Sequence, residues 1–474
     1  MTIVIAAGIA LGAGVLASFL RLRAPLAATL VGLGGLAAVA FAAVAIGPDD
    51  VLPFGSVQIV GSDLLRAIGL FWAISAAGLV AIDALGIGSH AVAGPALLGI
   101  GAAILALGAT NGEASFAFLA AGGVATVVAP AAAAGRSRAA VAWRALRTVV
   151  IAGFLGLGVI AWESSPAGPL GAASLEPGAD RAAAAAIGLG LIAIVTAVAM
   201  RAGAIPTHVW AARLVEAIPM AAIPAALAWG GATFAIVASS WAVAALGPSA
   251  AAIGPERTVV AIIAAATLLL GSAAAFVHDD VEHVVGYSIV ADAGVVLLAF
   301  AALDPAVARP LGAWVLGYAT VKSALAGWAA AARGRFGVRR LPDLRGWARR
   351  SPVLGIGLVL VLVGAVGLPG TAANAARARL VALASDPPFE VILLAAAVLP
   401  IAVIGRLLVA GWQTPSPHVA DDPGDSSFRE RPRLVAPALL VVGLAIVGLV
   451  ASLGVGSIGG PVIDVPQPSA LPGT

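Results

Sequence analysis

The chain has 474 residues, of which 61% are hydrophobic and only 10% are charged, and its mean hydropathy is +1.06. No water-soluble fold buries that much apolar surface, so these values indicate a protein whose solvent is lipid. Cysteine is absent, which excludes disulfides and cysteine-bound metal or iron–sulfur sites on this chain. The net charge of +3 reflects arginine-rich loops, and no basic patch interleaved with aromatic residues indicates nucleic-acid binding.

A helix needs about 20 apolar residues to cross the hydrocarbon core, and the sequence contains about 14 such runs. The first run lacks a basic leader, so we interpret it as a membrane helix and not as a cleaved signal. The sequence therefore predicts an all-α polytopic membrane protein. The predicted spans are 2–20, 26–46, 64–86, 90–109, 114–134, 144–162, 182–202, 219–246, 257–277, 283–303, 309–332, 352–384, 388–412 and 433–453.

Two of these spans are followed or interrupted by helix breakers. After the seventh span the chain reads RAGAIPTHVW, in which Pro206 should end the helix. The twelfth span contains GLPGTAAN, in which Gly367, Pro369 and Gly370 should interrupt it. Breakers also occur without function in many membrane helices. Two breaks five spans apart, however, are expected of two inverted five-helix repeats with discontinuous helices.

This pattern predicts four parts. They are the first three helices (1–86), a first repeat with helices 4–8 (90–246), a second repeat with helices 9–13 (257–412), and a loop, last helix and tail (413–474).

Loop charge predicts the orientation. Arginines follow the first, fifth, eleventh and thirteenth spans, and all four of these loops lie on one side if there are about 14 spans. The positive-inside rule makes that side cytoplasmic, so both termini should be external and the chain should lie in the inner (plasma) membrane. The arginines are Arg21 and Arg23; Arg136 and Arg138; Arg333, Arg335, Arg339, Arg340, Arg345, Arg349 and Arg350; and Arg429, Arg431 and Arg433.

A single lysine, Lys322, occurs among 25 arginines and lies inside the apolar stretch RPLGAWVLGYATVKSALAGWAAAAR. Lysine can lose its proton when it is desolvated, and an ionisable group between apolar walls usually marks an ion path. Asp292 lies one span earlier, in YSIVADAG, and a carboxylate near the lysine would favour its charged form. Two other interpretations stay open: a purely structural buried pair, or a lysine stem that snorkels to the membrane surface.

Four stretches, in order, resemble the antiporter-like membrane subunits of respiratory complex I, multisubunit cation/proton antiporters and membrane-bound hydrogenases. RAGAIPTHVWAARLVEAIPMAAIPAAL (201–227) resembles their K-x-G-A-x-P-x-H-x-W…P-T-P-V-S stretch. HDDVEHVVGYSIVADAG (278–294) resembles D-[LV]-K-R-[LV]-L-A-Y-S-S-[IV]-x-x-x-G, and WVLGYATVKSALAGWAAAARG (314–334) resembles H-x-x-x-K-A-x-L-F-L-x-x-G. The segment 341–380 resembles D-L-x-G-L-x-x-x-x-P…S-L-x-G-[IL]-P-P-x-x-G-F-x-x-K.

The resemblance implies a 14-helix subunit that moves protons along buried charges and holds no catalytic residue of its own. It implies a membrane-arm subunit of a proton-translocating NADH-quinone oxidoreductase, which provides or scaffolds a proton path. Its partners would be other membrane-arm subunits and the lipid bilayer, with no nucleic acid. Quinone, flavin and iron–sulfur clusters would belong to partner subunits, so that this chain carries no cofactor and no metal. The alternative is a membrane subunit of a cation/proton antiporter or of an energy-converting hydrogenase.

Departures from the family pattern favour a third possibility, a degenerate structural subunit that does not pump. Arg201 replaces the lysine of the first broken helix, and Arg377 replaces that of the twelfth span. The family glutamate that would pair with Arg201 should fall near Ala121 or Gly122, and the eighth-span lysine or histidine near Gly231. Arginine holds its charge, so it can supply a field but cannot readily exchange a proton.

The remaining candidates for the proton path are a histidine and two tyrosines. His208 matches the family P-x-H, and we expect it to cap or orient the break in preference to relaying protons. Tyr287 and Tyr318 fall on the spans of Asp292 and Lys322 and are expected to carry hydrogen bonds or order water. The turn HDDVEH (278–283) has metal-ligand residue types but no common ligand spacing, so a solvated loop is the favoured interpretation.

Overall fold

The computed structural model describes residues 2–55, 57–86, 88–132, 139–163, 165, 180–384, 390, 393–394, 398–420 and 431–454. Predicted loop arginines at 136, 138 and 429 and the C-terminal tail lie outside these residues. The helices are α1 (Thr2–Leu20), α2 (Pro25–Val44), α3 (Asp63–Leu85), α4 (Ala93–Gly108), α5 (Gly112–Ala132), α6 (Ala139–Glu163), α7 (Asp180–Ala202), α8 (Val209–Ala217), a π-helix (Pro224–Trp229), α9 (Gly230–Leu246), α10 (Gly254–Val277), α11 (Val281–Ala302), α12 (Ala308–Phe336), α13 (Trp347–Arg350), α14 (Pro352–Val366), α15 (Ala372–Ala384), α16 (Leu399–Trp412), α17 (Pro417–Ala420) and α18 (Arg431–Leu453).

The protein is a helical, multi-pass membrane protein, as its composition predicts. Among the described residues, nine helices are long and apolar enough to cross a bilayer. A tenth is added if the segments 341–350 and 352–366, bent by 109°, form one span. Three further apolar helices are shorter, in α4, α5 and α16. The count by length and composition is therefore lower than the predicted number of spans.

One prediction of secondary structure is incomplete, because the loop between α2 and α3 contains a β-hairpin. Strands β1 (Val51–Phe54) and β2 (Val57–Val60) pair antiparallel. The β-branched and aromatic residues around a tight turn explain the hairpin. Its strand β2 also bridges to the end of α4, where Thr110 donates its backbone N–H to the Gln58 carbonyl. The hairpin thus fixes the connection between the first helices at one membrane surface.

Local capping chemistry accounts for several helix ends. Ser62 accepts a hydrogen bond from the Leu65 amide at the start of α3, and Asp280 accepts one from the Glu282 amide at the start of α11. Helix α12 ends at Gly337, whose φ of 70° lies in the left-handed region that glycine adopts without strain.

The central helices are buried on all sides, whereas the outer helices present apolar side chains outward. Nearly all of α9, together with the turns before it, and nearly all of α11 lie inside the bundle. Outward-facing side chains on α1, α2 and α6 include Phe19, Phe41 and Phe154, each more than two thirds exposed. In a membrane protein such residues contact lipid, so the buried helices α9, α11 and α12 are where a polar group would be isolated from both lipid and water.

Both predicted helix breaks coincide with interruptions. Helix α7 ends at Ala202 and α8 begins at Val209, with Pro206 between them. Two backbone groups at the break form hydrogen bonds outside the helix. The Trp210 indole donates to the Met200 carbonyl (2.8 Å), and the Ile205 amide donates to the Thr267 hydroxyl (3.3 Å). These bonds replace the helical partners that the break removes.

The second interruption separates α14 from α15. Gly367 (φ 64°) and Gly370 (φ 92°) both adopt left-handed backbone conformations, and Pro369 lies between them. Only glycine adopts such angles readily, which explains why the helix stops here. The predicted span 352–384 is therefore two helices in the structure.

The predicted span 219–246 is continuous but irregular. It begins with a 3₁₀ turn (Met220–Ala222), passes into the π-helix and becomes α-helical at Gly230. A π-turn shifts the backbone hydrogen-bond register and is often found at functional sites. Here two carbonyls of the π-helix accept hydrogen bonds from side chains on other helices, as described next.

Candidate functional site

Lys322 and Asp292 form a buried ion pair at the centre of the bundle. Lys322 Nζ lies 3.0 Å from Asp292 Oδ2, and the two side chains are 2% and 8% exposed. The pair lies where α11, α12 and α15 pack against one another. Snorkelling is excluded, because the ammonium group does not reach a surface. Such a deeply buried pair is stable only because each charge compensates the other.

Close packing of small residues brings the helix of Lys322 deep into the bundle. A side-chain carbon at Gly364 of α14 or at Gly448 of α18 would lie 2.9 or 3.1 Å from Val321, the residue next to the lysine. Glycine at these positions therefore permits the close approach of three helices, which is how membrane helices exclude lipid and water from a charge.

Tyr318 lies one helical turn before Lys322 and connects the pair to the π-helix. Its hydroxyl donates to the Ala228 carbonyl at 3.4 Å, and it lies within electrostatic range of both Asp292 and Arg201. Tyr287, the other predicted tyrosine, is elsewhere, in the cluster of rings described below. Of the two tyrosines, only Tyr318 therefore belongs to the neighbourhood of the ion pair.

Arg377 approaches Asp292 from the second broken helix. It is buried, lies within electrostatic range of Asp292, and stacks 5.7 Å over the ring of Trp314. Its guanidinium donates to the Val366 carbonyl at the end of α14 and to the Asn374 side chain, both at 3.0 Å. Arg377 thus holds the interruption between α14 and α15 in place and adds positive charge beside the carboxylate.

Arg201 is completely enclosed at the end of α7. Its Nη1 donates to the Ala226 carbonyl of the π-helix at 2.8 Å. No carboxylate among the described residues pairs with its guanidinium. Its Nη2 occupies the space that a side chain at Gly230 would need, since a Cβ there would lie only 1.7 Å away. Arg201 is therefore a fixed buried cation, packed into a groove that only glycine leaves open.

The position facing Arg201 on α5 is Gly123, and not Ala121 or Gly122 as the sequence suggested. A Cβ at Gly123 would lie 3.5 Å from Arg201 Nε, whereas Ala121 is exposed and a Cβ at Gly122 would meet Ala102. No carboxylate occupies this position. On α9, a Cβ at Gly231 would meet the backbone of Ala202 at 2.9 Å, so no longer side chain fits there without rearrangement.

The His208 side chain does not cap the broken helix, so of the expected roles only orientation of the break stays a prediction. Its side chain makes no capping hydrogen bond to α8, and its Nδ1 is buried without a partner in the part of the chain that the structure describes. The nearest aromatic neighbour is Tyr287, with ring centroids 6.4 Å apart. Tyr287 in turn stacks on His278 at 5.1 Å, which stacks on His283 at 5.0 Å.

This ring cluster merges with a network of ion pairs at the end of α11. Burial and the neighbouring His283 hold the pKa of His278 below its usual range, so this imidazole is neutral at pH 7. Burial opposes ionisation of Asp280, but nearby His283 and Arg339 outweigh it and hold the pKa of Asp280 below its usual range. Within the described ranges, no group of three or more histidine, aspartate or glutamate residues is arranged to hold a metal ion.

Glu282 is the hub of the same network. It pairs with Arg333 and, at 2.9 Å, with Arg339, although its side chain is only 5% exposed. Two of the predicted loop arginines are therefore paired with a carboxylate of α11. They link the ends of α11 and α12, the helices that carry Asp292 and Lys322.

Sequence reasoning missed the tryptophans near these charges. Trp229 donates its indole N–H to Ser323, next to Lys322, at 3.0 Å, and stacks on Trp72 with ring centroids 5.4 Å apart. Trp72 itself lines a small cavity beside Arg201. Nothing in the sequence distinguishes Trp72 and Trp229 from the other tryptophans, of which the chain has ten in total.

The fold and these buried charges define the class of the protein: polytopic helical membrane proteins with ionisable side chains isolated at the centre of the bundle. The family model for "NADH:quinone oxidoreductase/Mrp antiporter, TM" matches residues 132–403. The chain belongs to this family. The match contains both broken helices, the ion pair and Arg201.

Individual comparisons agree with this assignment. NADH-quinone oxidoreductase subunit N 1 of Streptomyces griseus is 31% identical over 295 residues, which cover 61% of this chain and 60% of the relative. The match thus spans less than two thirds of that relative's length.

Among solved structures, a chain of respiratory complex I from Thermus thermophilus superposes with a TM-score of 0.71 at 16% identity and covers 96% of this chain and all of that chain. A chain of the Mrp complex from Dietzia sp. DQ12-45-1b superposes with a TM-score of 0.69 at 19% identity and covers 96% of this chain and 94% of that chain. At these identities the likeness shows a shared fold.

Proposed function

We propose that this protein is a membrane-arm subunit of a proton-translocating NADH-quinone oxidoreductase, in which the Lys322–Asp292 pair forms part of a proton path coupled to quinone reduction. The observation that carries the proposal is the ion pair itself, buried at 3.0 Å between α11 and α12. A lysine held by one carboxylate can release its proton when that carboxylate is engaged elsewhere, and Arg377 is a second cation within range of Asp292. Subunit N relatives support the choice of complex.

The proposed architecture is 14 transmembrane helices with two inverted five-helix repeats, at 90–246 and 257–412. Residues 1–86 form the three preceding helices, and 413–474 form the loop, last helix and tail. Support comes from the two interruptions, which fall in the fourth helix of each proposed repeat. Equivalent breaks in corresponding helices are expected of inverted repeats.

We further propose that the protein lies in the plasma (inner) membrane with both termini external. The arginines after α1 and α12 support a shared cytoplasmic side. Arg257 lies in the first turn of α10, on the side of the bundle opposite to the arginines after α12. Its guanidinium donates to the last carbonyls of α11, at Ala301 and Ala302. A structural role for this arginine is consistent with an external position.

The chain is proposed to carry no cofactor and to assemble with other membrane-arm subunits that hold quinone, flavin and iron–sulfur clusters. The sequence contains no cysteine to bind an iron–sulfur cluster, and the similarity to subunit N of the oxidoreductase supports the same assignment. We therefore assign electron transfer to the partners and to this chain only the movement of charge.

The second candidate is a membrane subunit of a cation/proton antiporter or energy-converting hydrogenase. The superposition on a chain of an Mrp complex, nearly as good as that on complex I, favours keeping it. A third candidate, a degenerate subunit that does not pump, is favoured by the first half of the chain. There Arg201 faces glycine where a carboxylate would be needed.

Affinity purification of the tagged protein in a mild detergent, followed by mass spectrometry, separates the first two candidates. NADH- and quinone-binding subunits among the co-purifying proteins support the main proposal. Small antiporter subunits or hydrogenase subunits would instead establish the second candidate.

Substitution of Lys322 separates pumping from scaffolding within the assembled complex. Lys322→Arg keeps the positive charge but cannot release a proton, and Lys322→Met removes both. We expect Lys322→Arg to assemble and to lower the number of protons moved per electron, whereas Lys322→Met leaves Asp292 without its partner and should also lower stability. Thr320→Val is the matched control, since Thr320 is equally buried on α12 and bonds only to the Leu316 carbonyl. An unchanged stoichiometry in Lys322→Arg would favour the non-pumping scaffold.

A further inference from the structure

A small cavity adjoins the guanidinium of Arg201. It has a volume of about 20 Å³ and is lined mainly by apolar and glycine residues, with Arg201, Trp72, Trp229, Thr126 and Thr233 as its polar members; the Trp229 N–H donates to Ser323. A cavity of roughly 10–15 Å³ is the minimum that holds one water-sized particle. There is therefore space for a single small occupant in direct contact with a buried positive charge.

The charge of Arg201 is not compensated by the protein around it. The guanidinium has five N–H groups, and among the described residues only the carbonyl of Ala226 accepts from it. Burial of an unpaired cation is strongly unfavourable, and buried charges are normally paired with an opposite charge. Gly123 lies where a carboxylate could have supplied that charge, with a Cβ position 3.5 Å from Arg201 Nε.

Trp72, which also lines the cavity, contains a second donor without a partner. Trp72 is only 1% exposed, and its indole Nε1 has no hydrogen-bond partner among the described residues. The two threonine hydroxyls already donate to backbone carbonyls, Thr126 to Gly123 and Thr233 to Trp229. The unsatisfied groups around this cavity are thus all N–H donors, from one cation and one indole.

We propose that this cavity binds a monovalent anion of the size of chloride, which takes the place of a carboxylate opposite Arg201. A halide accepts hydrogen bonds from the guanidinium and compensates the buried charge. The small volume excludes sulfate, phosphate and organic anions. The proposal does not depend on which complex the chain belongs to.

Thermal unfolding of the full chain in detergent tests this inference, with sodium chloride or bromide compared with sodium gluconate at equal ionic strength. A ligand that binds only the folded state raises the melting temperature in a saturable manner. We expect that increase in chloride and bromide but not in gluconate, and equal melting temperatures in all three salts would overturn the proposal.

A built-in carboxylate provides the specific test. In Gly123→Asp combined with Val149→Ala, the carboxylate can reach Arg201, and the valine that would collide with the new side chain at 2.6 Å is shortened. We expect this variant to lose the chloride effect, whereas the neutral match, Gly123→Asn with Val149→Ala, retains at least part of it. A chloride effect that persists undiminished in the aspartate variant would mean that the anion binds elsewhere.

The unmutated protein supplies a direct readout if a variant fails to fold. Crystals soaked in bromide should show an anomalous scattering peak beside Arg201 and the Trp72 indole. Peaks found only at other sites would overturn the proposal, whatever the variants do.

Discussion

Removal of one partner of the Lys322–Asp292 pair should destabilise the protein far more than removal of both. At 3.0 Å the pair interacts with roughly 5 kcal/mol at an effective dielectric constant of about 20. Most of that attraction offsets the desolvation of the two ions. Asp292→Asn would therefore leave Lys322 uncompensated, with Arg377 as a second cation nearby, and we expect a loss of about 3–5 kcal/mol in unfolding free energy.

The double variant Asp292→Ala with Lys322→Met removes both charges and adds no side-chain volume at this buried site. Replacement of a buried ion pair by apolar residues is often neutral or even stabilising. We expect the double variant to recover most of the stability lost in Asp292→Asn. The measurement is unfolding of the purified full-length chain by a denaturing detergent, with Thr320→Val as the control for an isosteric change on α12.

The two variants also separate stability from function. If the pair carries protons, the double variant should be stable and assembled but should move fewer protons per electron. Equal destabilisation by the single and the double change would refute the reasoning, because it would mean that the two charges do not compensate each other. Water would then have to reach at least one of them.

Three further predictions concern other contacts. Gly230→Ala places a methyl group against the buried guanidinium of Arg201 and should lower the free energy of unfolding in detergent by about 1–3 kcal/mol. An unchanged unfolding midpoint would contradict the close packing of Gly230 against Arg201. Glu282→Gln leaves Arg333 and Arg339 without their shared carboxylate and should destabilise by about 1–3 kcal/mol, with a smaller effect at high salt if the pairs are solvated. The lowered pKa of Asp280 stabilises the fold above pH 3.8, and this contribution disappears as the pH falls through the folded-state pKa. Asp280→Asn should therefore reduce the loss of stability at acidic pH, measured as unfolding free energy against pH. The same loss in the variant and in the unmutated protein would refute the stabilising role of Asp280.

The sequence was sufficient for the membrane class, for both helix breaks and for the neighbourhood of the ion pair. Hydropathy reports the solvent of a segment directly, and proline or glycine in left-handed conformations interrupts a helix whatever its surroundings. A lone lysine in an apolar segment similarly requires compensation, and Asp292 was the nearest carboxylate on the preceding predicted span.

What sequence could not supply was the rotation of each helix. Successive residues of an α-helix point about 100° apart, so an error of two positions turns a side chain to the opposite face. That is the difference between Ala121, which is exposed, and Gly123, which faces Arg201. The π-helix could not be predicted either. A change of hydrogen-bond register over 224–229 redirects its carbonyls but leaves the pattern of apolar residues unchanged.

The distribution of buried charge links the proposed proton path to the proposed anion site. Along the row formed by Arg201, Lys322 and Arg377, Asp292 is the only carboxylate among the described residues, so positive charges exceed negative ones. An apolar interior tolerates such an excess poorly, and only two processes can reduce it: entry of an anion or release of a proton. Arginine cannot release its proton, so compensation at Arg201 requires an anion, whereas Lys322 can respond by deprotonation. Of the three cations in this row, Lys322 is therefore the one whose charge can change if the proposed proton path operates.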